Sequence, residues 1–501
     1  MIPAHSLSWI IFLPLAGALA IFWLPPERRE AIKTVALCTA ALPLAQTLLL
    51  FFRFDPADTA FQFVEHYTWV PAFGLEYFVG VDGLSLPLLT LATLVGFLAL
   101  LTAWSVEEGV KGFFALILVM LTGILGVLCA LDTALMWVFW ELVLASMFFM
   151  VSLWGGREGR RAGRQFLLLT QAGSLAMLLA ILALRQHTVS PVDGGPTFNL
   201  LLQMDRANHD LWLNNPGIRH WIFGGLALGC GVLIPIFPLH VWQPRLHRSA
   251  PLAVSLLASA LVAKLGFYAL LRIAWPVLPD AAAWARPALM TLGAIAAVHG
   301  GLGALGRRDL AVILGYGSFS LLGLALIGLG SFTLSGMQGA TQLMVTHGLV
   351  FAMLFSAAGG LRDRQGHLDL DRWGGLYRQA PFLASLMSLA LLAAWGMPGL
   401  AIYPGAALVL AGALESHPAA AVAGAFGLLL AAAWTSRVIL RICLGDPPAG
   451  AEADAVPAIR SRELGVLLPL AVLLVALGLY PRLLADRTSA VLDILVKVVG
   501  G

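Results

Sequence analysis

The chain of 501 residues is 59% apolar and only 11% charged, against roughly 45–50% and 25% in soluble domains, so it reads as a polytopic membrane protein rather than a soluble enzyme. A formal charge of +3, scattered along the chain, excludes a nucleic-acid partner. Four cysteines without CxxC or Cys/His spacing give no disulfide framework and no metal or iron–sulfur site.

Apolar runs of about 18–25 residues, the length that crosses a ~30 Å hydrocarbon layer, fall at 8–24, 34–52, 84–104, 112–131, 134–154, 165–184, 221–240, 251–272, 287–306, 310–330, 337–360, 381–414, 418–443 and 463–481. The expected fold is therefore all-α, with about 14 transmembrane helices. The first run lacks a basic leader and a small-residue cleavage site, so it is a retained span and not a signal peptide. With the N-terminus outside, 20 of the 30 Lys and Arg fall in inside loops and nine in outside ones. That asymmetry sets the orientation and puts both termini outside. The long outward segments 54–83 and 186–219 carry Trp69, Tyr77 and Trp212, residues suited to the aromatic belt at the interface. The tail 482–501 alternates charged and apolar residues at helical spacing, as an interfacial helix or one packed on a neighbouring subunit would.

Two spans are interrupted. Span seven reads LIPIFPLH, with Pro235 and Pro238, and span twelve reads WGMPGLAIYPG, with Pro398 and Pro404. Non-helical backbone at membrane depth is tolerated only against protein or a wet cavity. Lying five spans apart, the breaks fit two inverted five-helix repeats, spans 4–8 and 9–13. Pro and Gly are also common in membrane helices generally, so the argument rests on the matched spacing. The expected divisions are 1–110 for the first three helices, 111–272 and 287–443 for the repeats, and 463–501 for the last helix and tail.

Ionisable residues inside spans are costly and mark ion pathways. Glu141 lies mid-way along span five with no cation on its own helix. Lys264 is the one lysine within a span, at the centre of span eight, where it can take up and release a proton. His347 in span eleven and His299 in span nine can relay protons near neutral pH or serve as satisfied core residues. His240 and His247 flank the hinge after the first break, as an inlet or as turn residues. Asp132 reads as a helix cap, and Arg437 as a residue of the inner half of span thirteen or a snorkelling one.

Eight segments then carry a resemblance. They are VDGLSL at 81–86, LDTALMWVFWEL at 131–142, LTQAGSLAMLLAILAL at 169–184, PIFPLHVWQPRLHRSAP at 235–251, LVAKLGFYALLR at 261–272, QLMVTHGL at 342–349, WGGLYRQAP at 373–381 and WGMPG at 395–399. In this order, over nearly the whole chain, the sequence resembles the M-type antiporter-like membrane subunits of bacterial respiratory complex I, the proton-pumping NADH:quinone oxidoreductase. The resemblance implies a multi-pass protein of the bacterial inner membrane, partnered by other membrane-arm subunits and the lipid bilayer and handling protons or sodium ions. It implies that proton translocation runs through Glu141, Lys264 and His347, and that the chain itself holds no redox cofactor.

Three positions depart from the pattern of that family. Its span-seven lysine is Leu233, its span-twelve glutamate is Ala406, and a lysine near the start of span six is Gln165. Either this subunit still pumps, with water, His347 or Tyr403 standing in, or it keeps the fold with a degenerate proton path. Two further readings stay open: a subunit of a related cation/proton antiporter or ion-coupled inorganic-carbon uptake complex, and a non-pumping structural subunit. No nucleophile–base pair is present that would make the chain an enzyme by itself.

Overall fold

The computed structural model describes residues 5–191, 194–206, 215–446 and 457–500. Trp212 lies outside the described residues. Eleven helices among those described are long and apolar enough to cross a membrane. The sequence count of fourteen also includes Ser6–Phe22 (α1) and the two interrupted spans, which fall below that length or hydropathy.

The chain runs on through Arg29–Arg53 (α2), a hairpin of Gln62–Val70 (β1) and Leu75–Val81 (β2), and then Ser85–Thr102 (α3). The hairpin, which the sequence reading left as loop, is antiparallel with Tyr67 opposite Tyr77. It fastens neighbouring helix ends, bonding the start of α1 and the segment around Leu131 and Asp132. Its buried Glu65 accepts from the amides of Leu7 (2.7 Å) and Ser8 (3.1 Å) at the start of α1, placing negative charge where the helix leaves free N–H groups.

Val110–Cys129 (α4), Thr133–Trp154 (α5), Gly156–Gln186 (α6) and the short Leu200–Arg206 (α7) follow. Span seven is then split. Pro216–Leu233 (α8) stops before Pro235 and Pro238, and Trp242–Ser249 (α9) resumes after one tight turn. The carbonyl of Val232, freed by the break, accepts from the Trp242 indole at 2.9 Å, so the interrupted backbone stays bonded.

Leu252–Val277 (α10) is the centre of the molecule. It is predominantly apolar and buried along its whole length. Two π-helical turns, Ala258–Val262 and Leu270–Ala274, widen it.

The second half comprises Pro279–Leu305 (α11), Leu310–Gly330 (α12), Leu334–Gln365 (α13), the broken pair Pro381–Trp395 (α14) and Ile402–Ser416 (α15), and Pro418–Leu444 (α16). Gly293 and Gly300 of α11 bring its backbone against α12: a Cβ on Gly300 would meet Ser320 N at 2.6 Å. The second break holds Pro398, with Gly396 (φ +83°) and Gly399 (φ +87°) in the left-handed region that favours glycine. Pro404 is not part of this hinge. It sits in the first turn of α15, where a missing N–H costs nothing. Ser461–Leu479 (α17) and the tail helix Arg482–Gly500 (α18) complete the chain.

The two halves close in the same way. Asp132 caps α5 through the Leu135 amide (2.8 Å), and Asp309 caps α12 through the Val312 amide (3.1 Å). Each aspartate also forms an isolated antiparallel bridge with the segment after the next helix, Asp132 with Asn199 and Asp309 with Asp369. Flanking amides match as well, Leu200 N to Leu131 O and Leu370 N to Arg308 O. Five crossings separate α5 from α12, so the same closure stands on opposite sides of the membrane, as inversion requires.

Candidate functional site

Lys264 sits on α10, 2% exposed, just after the first π turn. A π turn lengthens the hydrogen-bond loop and leaves a carbonyl free. The Ser259 carbonyl lies in this turn and accepts from Lys264 Nζ. The ammonium also donates to His347 Nδ1 on α13 at 2.8 Å. With Nδ1 accepting, the ring proton is on Nε2. That nitrogen lies 3.2 Å from both the hydroxyl and the carbonyl of Ser318 on α12, and the Ser318 hydroxyl is 2.8 Å from that of Ser259. Four side chains from three helices therefore form one connected, fully buried polar cluster: Lys264, His347, Ser318 and Ser259. A proton can pass from ammonium to Nδ1 while the Nε2 proton moves to a hydroxyl.

The cluster continues along α13. His347 stacks on Phe351, and the ring of His247 stacks on Phe355 of the same helix at 4.8 Å. His247 and Ser255 are completely buried, and neither the two ring nitrogens nor the Ser255 hydroxyl has a protein partner. Buried polar groups of this kind are ordinarily satisfied by ordered water. A cavity of about 620 Å³ is lined by His240, Tyr316, Arg245, Arg248, Arg307 and Arg308. His240 stacks on Phe319, next to Ser318 in sequence, and its ring centroid is 5.1 Å from that of His299. Gln165, where the lysine of span six is missing, holds Arg245 at this cavity with a 2.6 Å bond.

Glu141 stands apart from the cluster. It is half-buried on α5, and its carboxylate accepts from Gln171 Nε2 (2.7 Å) and from the Ser174 hydroxyl on α6. Ser174 is in turn bonded by the Trp137 indole at 3.0 Å. These partners are all neutral. Leu233 and Ala406 are buried among apolar residues, so neither charge expected from the resemblance is replaced in place. Tyr403 is 43% exposed on α15 and is not among the hydrogen-bond partners of Lys264, which are the Ser259 carbonyl and His347.

Sequence reasoning missed the serines and one ion pair. Ser255 and Ser259 lie one turn apart on α10, ahead of Lys264, a spacing that could have marked a polar stripe. Arg272, at the end of the span 251–272, is buried and paired with Asp82 of the VDG segment at 2.5 Å. The same guanidinium bonds the Tyr268 hydroxyl at 3.2 Å, and that hydroxyl donates to Leu128 O. Arg437 turns back to the carbonyls of Leu305 and Arg307. Outside the spans, burial pushes the Asp132 carboxyl up to about 6, despite the amide bonds from Leu135 and Glu76 that favour its charged form.

Comparison with known proteins places this geometry in a wider group. Residues 130–431, more than half of the chain, match the family described as NADH:quinone oxidoreductase/Mrp antiporter, TM. A chain 4 of the NAD(P)H-quinone oxidoreductase of Picosynechococcus sp. is 33% identical, with 97% of this chain and 92% of that one aligned. Its counterpart from Nostoc sp. is also 33% identical, over 97% and 90%. Among solved structures, a chain of respiratory complex I from Thermus thermophilus superimposes with a TM-score of 0.88 at 30% identity, covering 99% of this chain and 100% of that one. A chain of the Mrp complex from Dietzia sp. gives 0.84 over 99% of both chains, and at 20% identity it speaks for the fold alone.

Proposed function

The chain belongs to the NADH:quinone oxidoreductase/Mrp antiporter transmembrane family, and on that premise we propose that it is the M-type (chain 4) antiporter-like subunit of a complex I membrane arm, moving protons through Lys264. The single observation that carries this reading is the buried bond between Lys264 and His347, in a widened helix at the centre of the molecule. An ammonium is kept in such a place at high cost, and an ion path is the ordinary reason.

The steps follow from the residues in line. A proton reaches the inner cavity and passes His240 or His247 to the Ser255–Ser259 edge of α10. It rests on Lys264 and His347, which share it across 2.8 Å. It is released outward when the arm changes the electrostatics around α10. The division at 111–272 and 287–443 supplies the inverted scaffold, with the matched aspartate closures at its two ends. The bacterial inner membrane, both termini outside, and neighbouring membrane-arm subunits complete the proposal. NADH and quinone chemistry belongs to partner subunits.

A second reading, a subunit that keeps the scaffold without pumping, is favoured by one observation: Leu233 and Ala406 leave two positions of the expected polar axis apolar and buried. Reconstitution of the intact complex into vesicles separates the two. Ion translocation per turnover should fall in Lys264→Ala and partly recover in Lys264→Arg. A protonophore should abolish the gradient and a sodium ionophore should not. Unchanged stoichiometry in Lys264→Ala would leave only the second reading.

A further inference from the structure

On the opposite side of α13 from the Ser318 contact, an apolar groove of about 610 Å³ opens between α2, α3, α13 and α17 and is closed at one end by α18. Its lining carries a single hydroxyl, Thr90, which is already bonded to the Leu86 carbonyl at 2.9 Å. Nothing in its wall therefore asks for a polar ligand. Along α2 the groove extends from Leu44 to Phe52, about 12 Å of helix at ~1.5 Å per residue. That is close to half of a ~30 Å hydrocarbon layer. The far end of this stretch is the outer end of α2, beside Arg53, and there the groove meets α18 at Leu483 and Leu484.

One turn along α18, Arg487 lies across the end of the groove. Its guanidinium is 3.9 Å from the ring centroid of Phe51, itself a wall residue. Two of its nitrogens donate to backbone carbonyls, Leu483 (2.8 Å) and Phe51 (3.4 Å), while Nε is buried without a partner. No carboxylate among the described residues forms an ion pair with it. A guanidinium at the interface without a carboxylate partner among the described residues, above an apolar slot one leaflet deep, matches an amphiphile with a phosphate at its head and a hydrocarbon chain below.

We propose that this groove is a phospholipid site, with an acyl chain lying between α2, α3 and α17 and the headgroup phosphate against Arg487. Val345 and Leu349 of the groove wall bracket His347 on α13. The acyl chain thus braces the back of the helix that carries the proton-handling histidine.

The test uses the intact complex in nanodiscs of phosphatidylcholine doped with phosphatidylglycerol bearing a diazirine on one acyl chain. After irradiation, adducts are mapped by peptide mass spectrometry. Labelling should concentrate several-fold on the peptides of Leu48, Leu91 and Val472 relative to that of Leu168, an exposed side chain on α6. Arg487→Gln should bring it down to the Leu168 level, Arg487→Lys should retain it, and excess inorganic phosphate should not compete. Val472→Trp, at a position already 59% exposed, should fill the slot and block labelling while leaving the fold intact. Equal labelling of groove and α6, or labelling untouched by both Arg487→Gln and Val472→Trp, would overturn the site. Equally strong labelling by a diazirine fatty alcohol would overturn the phosphate assignment, and preferential labelling by an isoprenoid-quinone probe would assign the groove to that ligand instead.

Discussion

Glu141 and Ser318 occupy the same place in the two halves of the molecule. Each lies nine residues after the aspartate that caps its helix, and each faces the following helix, Glu141 toward Gln171 and Ser174, Ser318 toward His347. The first half puts a carboxylate there, half-buried and held by neutral donors. The second half puts a hydroxyl there, and around it His347 of the same half meets Lys264 and Ser259 from α10 of the first half, completely buried and bonded to one another. A duplicated scaffold has thus been given two different chemistries at matched places, and the proton-binding groups gather around the Ser318 position, with Lys264 contributed by the first half and His347 by the second. A buried group matters for ion movement according to the charge it faces, which makes the carboxylates of this chain a graded test.

Asp82 faces a full charge. Removing one partner of a buried pair costs about 3–5 kcal/mol because the other is left uncompensated, so Asp82→Asn should destabilise the complex by that order in thermal or denaturant unfolding. The double variant with Arg272→Met should recover most of it. A single variant as stable as wild type would mean that the pair is not shielded from water, and the graded argument would lose its upper end.

Asp132 comes next. Its folded value of about 6 lies above the usual 3.8, so the folded state holds the proton more tightly than the unfolded chain. The stabilisation from that protonation is fully present below about pH 4 and is lost as pH rises through about 6, amounting to at most about 3 kcal/mol. Asp132→Asn should remove this dependence and, relative to wild type, gain stability as pH rises from about 4 to about 6, keeping that gain above it. Parallel stability profiles for the two proteins would contradict the assignment.

Glu141 should matter least. With Gln171 and Ser174 as partners and no cation beside it, Glu141→Gln keeps the size and one acceptor, and turnover-coupled ion transport should change by less than about twofold. A loss as large as that of Lys264→Ala would restore Glu141 to the path and dissolve the contrast between the halves.

Much of this was legible in the sequence, and the reasons differ by residue. Lys264 and the two breaks stand out because charge and proline are expensive in apolar helices. His347 could be placed on its helix, but only packing reveals that its ring meets Lys264, 83 positions away. The hairpin at 62–81 was hidden because nine residues of mixed polarity carry a weaker pattern than a span of twenty. Ser259 and Ser318 were hidden because serines in membrane helices usually bond their own backbone, and nothing local says that these two meet. The pairing of Arg272 was hidden because its partner, Asp82, is 190 positions distant. Tyr403 was proposed as a relay from its place beside the second break, yet its helix face turns outward. Pro404 was read as a hinge although proline also begins helices, and helix starts cannot be fixed by composition alone.

The most direct test of the contrast between the halves is a side-by-side measurement of protons translocated per turnover in vesicles holding the wild-type complex, Lys264→Ala and Glu141→Gln. A clear drop in Lys264→Ala, with Glu141→Gln near wild type, is the predicted result and would place the working path in the buried Lys264–His347 cluster. Equal losses in both variants, or no loss in Lys264→Ala, would contradict it.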